Sequence, residues 1–226
     1  MNPLPTQPTA QLQSGHLCQP VTLSGEHVVL VPLSAAHHDD LVAAAQDGEL
    51  WRLWYTAIAA PEAMASEIQR RLDLQKQGSM LAFAVLEKST GRAVGMTTYM
   101  NIDNINRRVE IGSTWYRRRV QRTALNTECK LLLLEQAFER LQCIAVEFRT
   151  HRFNTPSRRA IERLGAQLQL QLGIGQGHHL GGVALNLLNQ QLEVAPRREG
   201  HHLEAIGELL HDLEGLRADR AGGSQH

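Results

Sequence analysis

A run of basic residues between a predicted strand and a predicted helix is the strongest structural constraint in this sequence. Val109 to Tyr116 alternates in polarity and is rich in β-branched and aromatic residues, which predicts a strand. Cys129 to Leu141 contains four consecutive leucines without glycine or proline, which predicts a largely buried helix. The basic loop between them, residues 117–124, carries arginine at 117, 118, 119 and 122. Because the first N–H groups of a helix lack internal partners and carry the positive end of its dipole, this arrangement favours a bound phosphate.

The segments on both sides of this loop resemble GNAT acetyltransferases of the RimJ/RimL type. In those proteins a strand ends in Glu-Ile-Gly-x-Thr-Trp, as at 110–115 here, and Asn-Thr-Glu opens a leucine-rich helix, as at 126–128. Their loop motif, Arg/Gln-x-x-Gly-x-Gly/Ala, corresponds to residues 119–124, with Arg122 in place of the glycine. Glycine allows close approach of the backbone, whereas arginine supplies donors of its own. The loop is therefore interpreted as a variant of the pyrophosphate site.

The resemblance implies that the chain uses acetyl-CoA as co-substrate. Backbone N–H groups of residues 115–117, where the strand bulges in this fold, would hold the pantetheine arm and polarise the thioester carbonyl. The loop and the helix start would surround the pyrophosphate, and an asparagine before the next helix would contact the arm. The implied cofactor-binding residues are Trp115, Tyr116, Arg117, Arg119, Gln121, Arg122, Thr123, Ala124, Leu125, Asn126 and Asn154.

The arginine run can also be interpreted as a solvated loop or as a nucleic-acid patch. Charged runs on loops are usually solvated. The chain has 23 basic and 23 acidic residues, so no overall charge favours nucleic acid as a partner. A basic loop at a helix start is better explained by one small anionic ligand.

A second strand and helix follow, and the same resemblance implies catalytic residues. Cys143 to Thr150 predicts a strand, and Asn154 to Gly165 predicts a short helix that begins with an N-cap and ends at glycine. By resemblance, Ser157 lies near the sulfur and returns a proton to the thiolate, while Glu110 acts as the base. Plain capping is the alternative for Asn154. For Glu110 the alternative is a structural carboxylate paired with Arg107, Arg108 or a neighbouring strand.

The predicted order of elements agrees with the GNAT fold over residues 21–166. A strand at 26–33, helices at 34–46 and 61–77, and strands at 81–87 and 93–100 precede the segments described above. In the second helix, Ile68 and Leu72 are expected on one side and Arg70 and Arg71 on the other. The expected fold class is α/β (α+β), with a mixed central sheet flanked by helices and an atypical C-terminal helical extension. In such proteins the segment between the first two helices borders the acceptor pocket, which makes Trp51, Trp54 and Tyr55 acceptor-side candidates.

Three regions are expected along the chain. Residues 1–20, rich in Pro, Gln, Thr and Ser, predict a mobile leader, and residues 21–190 the acetyltransferase domain. After Gly165 the resemblance ends, although 166–173 and 183–188 predict strands. Residues 191–226 form an extension in which 201–217 predicts an amphipathic helix, docked on the sheet or on a second subunit. A shifted reading frame in the gene is the alternative origin of this extension.

Composition narrows the remaining possibilities. Cysteines at only three widely spaced positions, 18, 129 and 143, predict neither a disulfide framework nor a metal site. No apolar run would cross a bilayer and no secretory signal is evident, so a cytoplasmic protein without membrane contact is expected, as monomer or homodimer. The predicted activity is direct acetyl transfer to a primary amine, on a protein N-terminus or a small molecule. The alternative is a catalytically weak or inactive module that binds coenzyme A or another protein.

Overall fold

A single mixed sheet forms the centre of the described part of the chain. The structure is a computed structural model that describes residues 16–170 and 182–188, with side chains over 17–166. In these residues eight strands lie in the order β1-β2-β3-β4-β5-β6-β8-β7, and only β5 and β6 are parallel. The strands are β1 (Leu23–Ser24), β2 (Val28–Pro32), β3 (Met80–Glu87), β4 (Arg92–Asp103), β5 (Arg108–Tyr116), β6 (Ala145–His151), β7 (Gln167–Leu170) and β8 (Gly182–Leu188).

Helices cover both faces of the sheet and bury two apolar clusters against it. On one face lie α1 (His38–Gln46) and α2 (Met64–Lys76), which pack on a cluster that includes Trp115 of β5. On the other lies α3 (Ala124–Glu135), continued by a π-helical turn over Gln136–Arg140. The short helix α4 (Thr155–Glu162) follows β6. This architecture confirms the predicted α/β fold, a mixed sheet flanked by helices.

The only parallel strand pair of the described sheet opens after three residues. Arg108, Val109 and Glu110 of β5 pair with Ala145, Val146 and Glu147 of β6. Beyond these pairs, β5 continues to Tyr116 and β6 to His151 without pairing to each other. The two strands therefore enclose a cleft, defined here as the space between 111–116 and 148–151. Because α3 connects these parallel strands, its first turn lies at the end of β5 where the cleft opens.

Most predicted elements are confirmed, including the two strands after Gly165. The helix predicted over 61–77 is present, preceded by a 3-10 turn at Pro61–Ala63, but one side chain was assigned to the wrong face. Arg71 is not on the solvated side of α2, because it is 1% exposed. Folded structure also begins before residue 21, since Leu17 is buried in the core and Cys18 Sγ donates to Gly78 O at 2.9 Å.

The predicted leader before residue 16 and the predicted helix at 201–217 lie outside the described residues. Both therefore stay predictions, as does the division of the chain at residue 190. Within the described ranges, no helix combines the length and the apolar character needed to cross a membrane.

Candidate active site

A bulge in β5 shapes one wall of the cleft. Ser113 and Thr114 stand opposite the single residue Thr97 of β4, and Ser113 has φ +47°. The bulge expected at 115–117 is thus displaced by two residues, because Trp115 and Tyr116 pair regularly with β4. The extra residue changes the side-chain alternation, so that Thr114 faces α3 while Glu110 faces the α1 and α2 side.

A buried arginine of α2 contacts this bulge from the α1 and α2 side of the sheet. Arg71 donates through both terminal nitrogens to Ser113 O at 3.3 Å, and through Nη1 to Thr98 Oγ1 at 2.7 Å. Its Nε donates to Glu67 Oε1 at 2.7 Å. Burial works to raise the pKa of Glu67, but the hydrogen bonds from Arg70 and Arg71 outweigh it and lower that pKa. The left-handed Ser113 is therefore fixed by a charged group that spans from α2 to the cleft wall.

The first half of the basic loop is held by acidic side chains. The backbone N–H of Arg117 donates to Val94 O at 2.8 Å, and its side-chain Nε donates to Asp47 Oδ2 at 2.9 Å. The prediction that this N–H would hold the pantetheine arm therefore conflicts with the hydrogen bond to Val94. Arg119 forms a bidentate ion pair with Glu87, in which Nη1 donates to Oε1 at 2.9 Å and Nη2 to Oε2 at 2.6 Å. These arginines lower the pKa of both carboxyl groups through their hydrogen bonds. A phosphate must therefore compete with Glu87 for the guanidinium of Arg119.

The second half of the loop has the geometry expected of a phosphate site. Arg122, which replaces the family glycine, has φ +62°, in the left-handed region that glycine adopts without strain. Thr123 caps α3, since its Oγ1 accepts from the amide of Leu125 at 3.3 Å. Gln121 is turned inward, because its Nε2 donates to Tyr116 O at 2.8 Å. Arg122 therefore adopts a conformation that glycine at this position could adopt without strain, at a cost of about 1 kcal/mol.

An open groove of about 320 Å³ lies beside the start of α3. It is lined by residues of the basic loop, by Ala124 and Leu125, and by Glu26, His27, Glu87 and Ser89. By helix geometry, the amides of Ala124 and Asn126 lie in the first turn and lack intrahelical acceptors. The structure thus brings four predicted residues, Arg119, Thr123, Ala124 and Leu125, to this groove, whereas Gln121, Arg122 and Asn126 do not line it.

Glu128, the third residue of the Asn-Thr-Glu signature, anchors the β1-β2 turn to α3. Its carboxylate accepts from the amides of Glu26 at 2.6 Å, His27 at 2.7 Å and Val28 at 2.9 Å. Gly25 leaves room for it, since an added Cβ there would lie 2.6 Å from Oε1. The sequence motif carried no indication of this role, because the partners lie about a hundred residues away in the chain.

Replacing Glu128 by alanine should lower the free energy of unfolding by about 2 kcal/mol, because a carboxylate that accepts three amide bonds is lost. Urea unfolding at pH 7 measures this. Glu135→Ala, on the same helix, is the control and should change stability by less than about 0.5 kcal/mol. An equal loss in both variants would contradict the anchoring role.

Glu110 lies at the vertex of the cleft and is 5% exposed. Its Oε2 accepts from Asn101 Nδ2 at 2.6 Å and lies 3.3 Å from Arg149 Nε. This ion pair with β6 is the neighbouring-strand contact expected of a structural carboxylate, whereas Arg108 pairs with Glu147. Both contacts of the Glu110 carboxylate engage Oε2, and Oε1 lies over Gly112, where an added Cβ would be 3.1 Å away. One oxygen is thus held by donors while the other lies beside the smallest residue of the strand.

The asparagine and serine of the second block lie at the start of α4. Asn154 is the N-cap, and its Oδ1 accepts from the amide of Ser157 at 3.3 Å. Capping therefore accounts for part of the role of Asn154 and leaves its Nδ2 for other contacts. Three residues separate the end of β6 at His151 from the start of α4 at Thr155.

Aromatic side chains meet across the outer end of β6. The aromatic cluster comprises Trp54, Tyr55, His151 and Phe153, in which the ring of Trp54 lies 5.2 Å from that of His151 and 5.8 Å from that of Phe153. Trp54 is 66% and Phe153 53% exposed, so the cluster presents apolar surface to solvent. Trp51 does not join these ring contacts and packs partly buried on the α1 and α2 side. The segment between α1 and α2 thus contacts the residues that precede Asn154.

Comparisons with known proteins agree with this geometry. The family profile described as an acetyltransferase (GNAT) domain matches residues 27–167. A solved GCN5-related N-acetyltransferase from Brucella melitensis is 30% identical, with a TM-score of 0.62 over 75% of this chain and 79% of that one. A putative acetyltransferase from T. thermophilus is 24% identical, with a TM-score of 0.69 over 86% of this chain and 98% of that one.

RimL, a ribosomal L7/L12 alpha-N-protein acetyltransferase solved in complex with coenzyme A, also has this fold. It is 13% identical and gives a TM-score of 0.63 over 74% of this chain and 98% of that chain. No curated protein sequence matches the chain. The family match covers more than half of the sequence and contains the bulge, the basic loop and α4. This chain belongs to the GNAT acetyltransferases.

Proposed function

We propose that this chain transfers the acetyl group of acetyl-CoA directly to a primary amine, with the cofactor bound in the cleft between β5 and β6. The observation that carries the proposal is the separation of these strands after Glu110, which leaves the edge of β5 open next to a phosphate-binding helix start. An extended pantetheine arm can bind to such an edge through backbone hydrogen bonds. The pyrophosphate lies at residues 119–126, where free amides and arginines favour an anion.

The roles of the catalytic residues follow from the chemistry of acyl transfer. The amine nitrogen forms a bond to the thioester carbon and loses a proton, which Glu110 takes directly or through water. The carbon–sulfur bond then breaks, and Ser157 passes a proton to the departing thiolate while its hydroxyl regains a proton from water. Backbone N–H groups of the bulged strand stabilise the oxyanion. Asn154 contacts the arm through its amide group while capping α4.

The acceptor amine approaches from the α1 and α2 side of the sheet. Glu110 faces that side, as do Arg149 and the aromatic cluster at the outer end of β6. Exposed aromatic faces bind apolar groups and cations, both of which occur near the amine of a peptide N-terminus. Trp54 and Tyr55 are therefore acceptor-side residues, and the similarity to RimL makes peptide N-termini the first acceptors to test.

The proposed function is tested by measuring thiol release from acetyl-CoA with peptide N-termini, amino acids, polyamines and small aromatic amines. Stoichiometric acetylated product with at least one of these amines, identified by mass, supports direct N-acetyl transfer. Binding of acetyl-CoA without transfer to any class would contradict it. Transfer to hydroxyl groups alone would also contradict the amine assignment.

Changing Arg119 and Arg122 together to alanine should weaken acetyl-CoA binding about tenfold to thirtyfold, because two cations facing the pyrophosphate are lost. The loss of affinity is limited because, in the free protein, Arg119 is paired with Glu87, and the phosphate must break that pair in order to bind Arg119. Isothermal titration calorimetry measures it, with Arg118→Ala as the control from the same loop. Unchanged affinity in a folded double variant would remove these side chains from the site.

A further inference from the structure

A buried lysine of α3 lies at the inner side of the cleft. Lys130 is 7% exposed, and its Nζ donates to Thr114 Oγ1 at 2.8 Å. On the opposite side, the same Nζ lies 5.7 Å from the ring centre of Phe148 in β6. Thr114 lies beyond the last β5 residue that pairs with β6, and Phe148 follows the last β6 residue that pairs with β5. The amino group is therefore positioned between the two strands where they have separated.

The contacts of this amino group leave some of its hydrogen-bond donors without an acceptor among the described residues. An ammonium group has three N–H donors, and among the side chains that the structure describes Lys130 donates to one acceptor, the hydroxyl of Thr114. That hydroxyl is shared with Thr97 Oγ1 at 2.8 Å, and no carboxylate forms an ion pair with Lys130 in the described residues. A buried cation without an anionic partner is costly, so such a group is retained where another acceptor completes its environment.

We infer that Lys130 is a cofactor-binding residue whose ammonium donates a hydrogen bond to an amide carbonyl of the pantetheine arm. Thr114 lies between Tyr116, next to the basic loop, and Glu110, at the vertex where transfer takes place. The arm must span that same interval between pyrophosphate and thioester. This inference rests on the proposed location of acetyl-CoA, and it adds a charged contact to the middle of the arm.

Titration of the free protein is compatible with this role. Burial lowers the pKa of Lys130 to about 8, so at neutral pH most molecules carry the ammonium. Cys129 of α3, Tyr116 of β5 and Tyr99 of β4 lie in the same buried core, and burial raises the pKa of each. Thr114 and Phe148 do not titrate. Since the protonated lysine is the stronger donor to a carbonyl, affinity should fall as pH rises above about 8.

The test compares acetyl-CoA with adenosine 3′,5′-bisphosphate, which lacks the pantetheine arm and the second phosphate of the pyrophosphate. Lys130→Met should weaken acetyl-CoA binding about tenfold or more, the range for a hydrogen bond from a charged donor, and leave binding of the bisphosphate unchanged. Lys130→Arg should recover most of the loss. Lys76→Met, which removes an exposed lysine, is the matched control. In the free protein, Lys130→Met should melt at the same temperature or higher, because a desolvated cation is removed.

A pH series on the wild-type protein gives an independent measurement. Acetyl-CoA affinity should fall by up to about tenfold between about pH 7.5 and 9.5, as expected for one linked proton. The bisphosphate should show no such decrease, and Lys130→Arg should bind acetyl-CoA without it. Equal weakening of both ligands by Lys130→Met, or a wild-type acetyl-CoA affinity that is flat with pH, would overturn the inference. Failure of the wild-type protein to bind acetyl-CoA would instead refute the proposed function, since no acceptor or turnover is needed here.

Discussion

Replacing Glu110 by glutamine should lower kcat about 100-fold or more at pH 7 while leaving acetyl-CoA affinity within about twofold. The amide keeps the size of the side chain and can still accept from Asn101, but it cannot take a proton from the attacking amine. The rate deficit should shrink as pH rises, because an increasing fraction of the acceptor is then already neutral. Steady-state kinetics between pH 6 and 9, with calorimetry for the cofactor, provides both measurements.

Glu147→Gln is the matched control for this variant. Glu147 lies on the neighbouring strand, pairs with Arg108 and Arg149, and belongs to the same charged group as Glu110. If loss of an ion pair at Arg149 caused the rate deficit, the two glutamine variants would show similar rates. If Glu110 is the base, only its own replacement gives the large decrease. A folded Glu110→Gln enzyme with wild-type turnover would make this carboxylate structural.

The elements around the proposed phosphate site could be predicted because their sequence signals are local. A strand, a basic loop and a helix start are contiguous in the chain, and the capping role of Asn154 depends on residues within one turn. The backbone at Arg122 follows from the same local logic, since the family glycine marks a left-handed position and the arginine has φ +62°. These features depend on neighbours in sequence, which a single chain displays directly.

The buried basic side chains at the candidate site, Arg71 and Lys130, could not be predicted because their hydrogen-bond acceptors are distant in the chain. Arg71 follows Arg70 on α2, and two adjacent arginines on a helix suggest solvent on both, yet only Arg70 is exposed. Lys130 precedes four leucines, and a single lysine in such a helix is expected at the border of its solvent-exposed face. In both cases the acceptor is a polar atom at the β5 bulge, and that bulge itself was expected two residues later. Long-range acceptors of this kind leave no periodic signal.

Replacing Arg71 by methionine should lower the free energy of unfolding by about 3 kcal/mol or more. The apolar side chain fills much of the space but leaves Ser113 O and Thr98 Oγ1 without their buried donor, and Glu67 with Arg70 alone. Breaking a buried charged contact by removing one partner has this magnitude. For a chain of this length, the melting temperature should fall by roughly 6–12 °C. Acetyl-CoA affinity should fall as well, because Ser113 is no longer held in its left-handed conformation.

Arg70→Met is the control that separates burial from charge, since Arg70 binds the same Glu67 carboxylate but its side chain is 52% exposed. An exposed pair of this kind contributes at most about 1 kcal/mol, so this variant should melt within a few degrees of wild type and bind acetyl-CoA normally. Differential scanning calorimetry and titration of both proteins decide the matter. Equal stability of the two variants would mean that the bulge is held by its own backbone pairing, and that the Arg71 guanidinium is only tolerated beneath it.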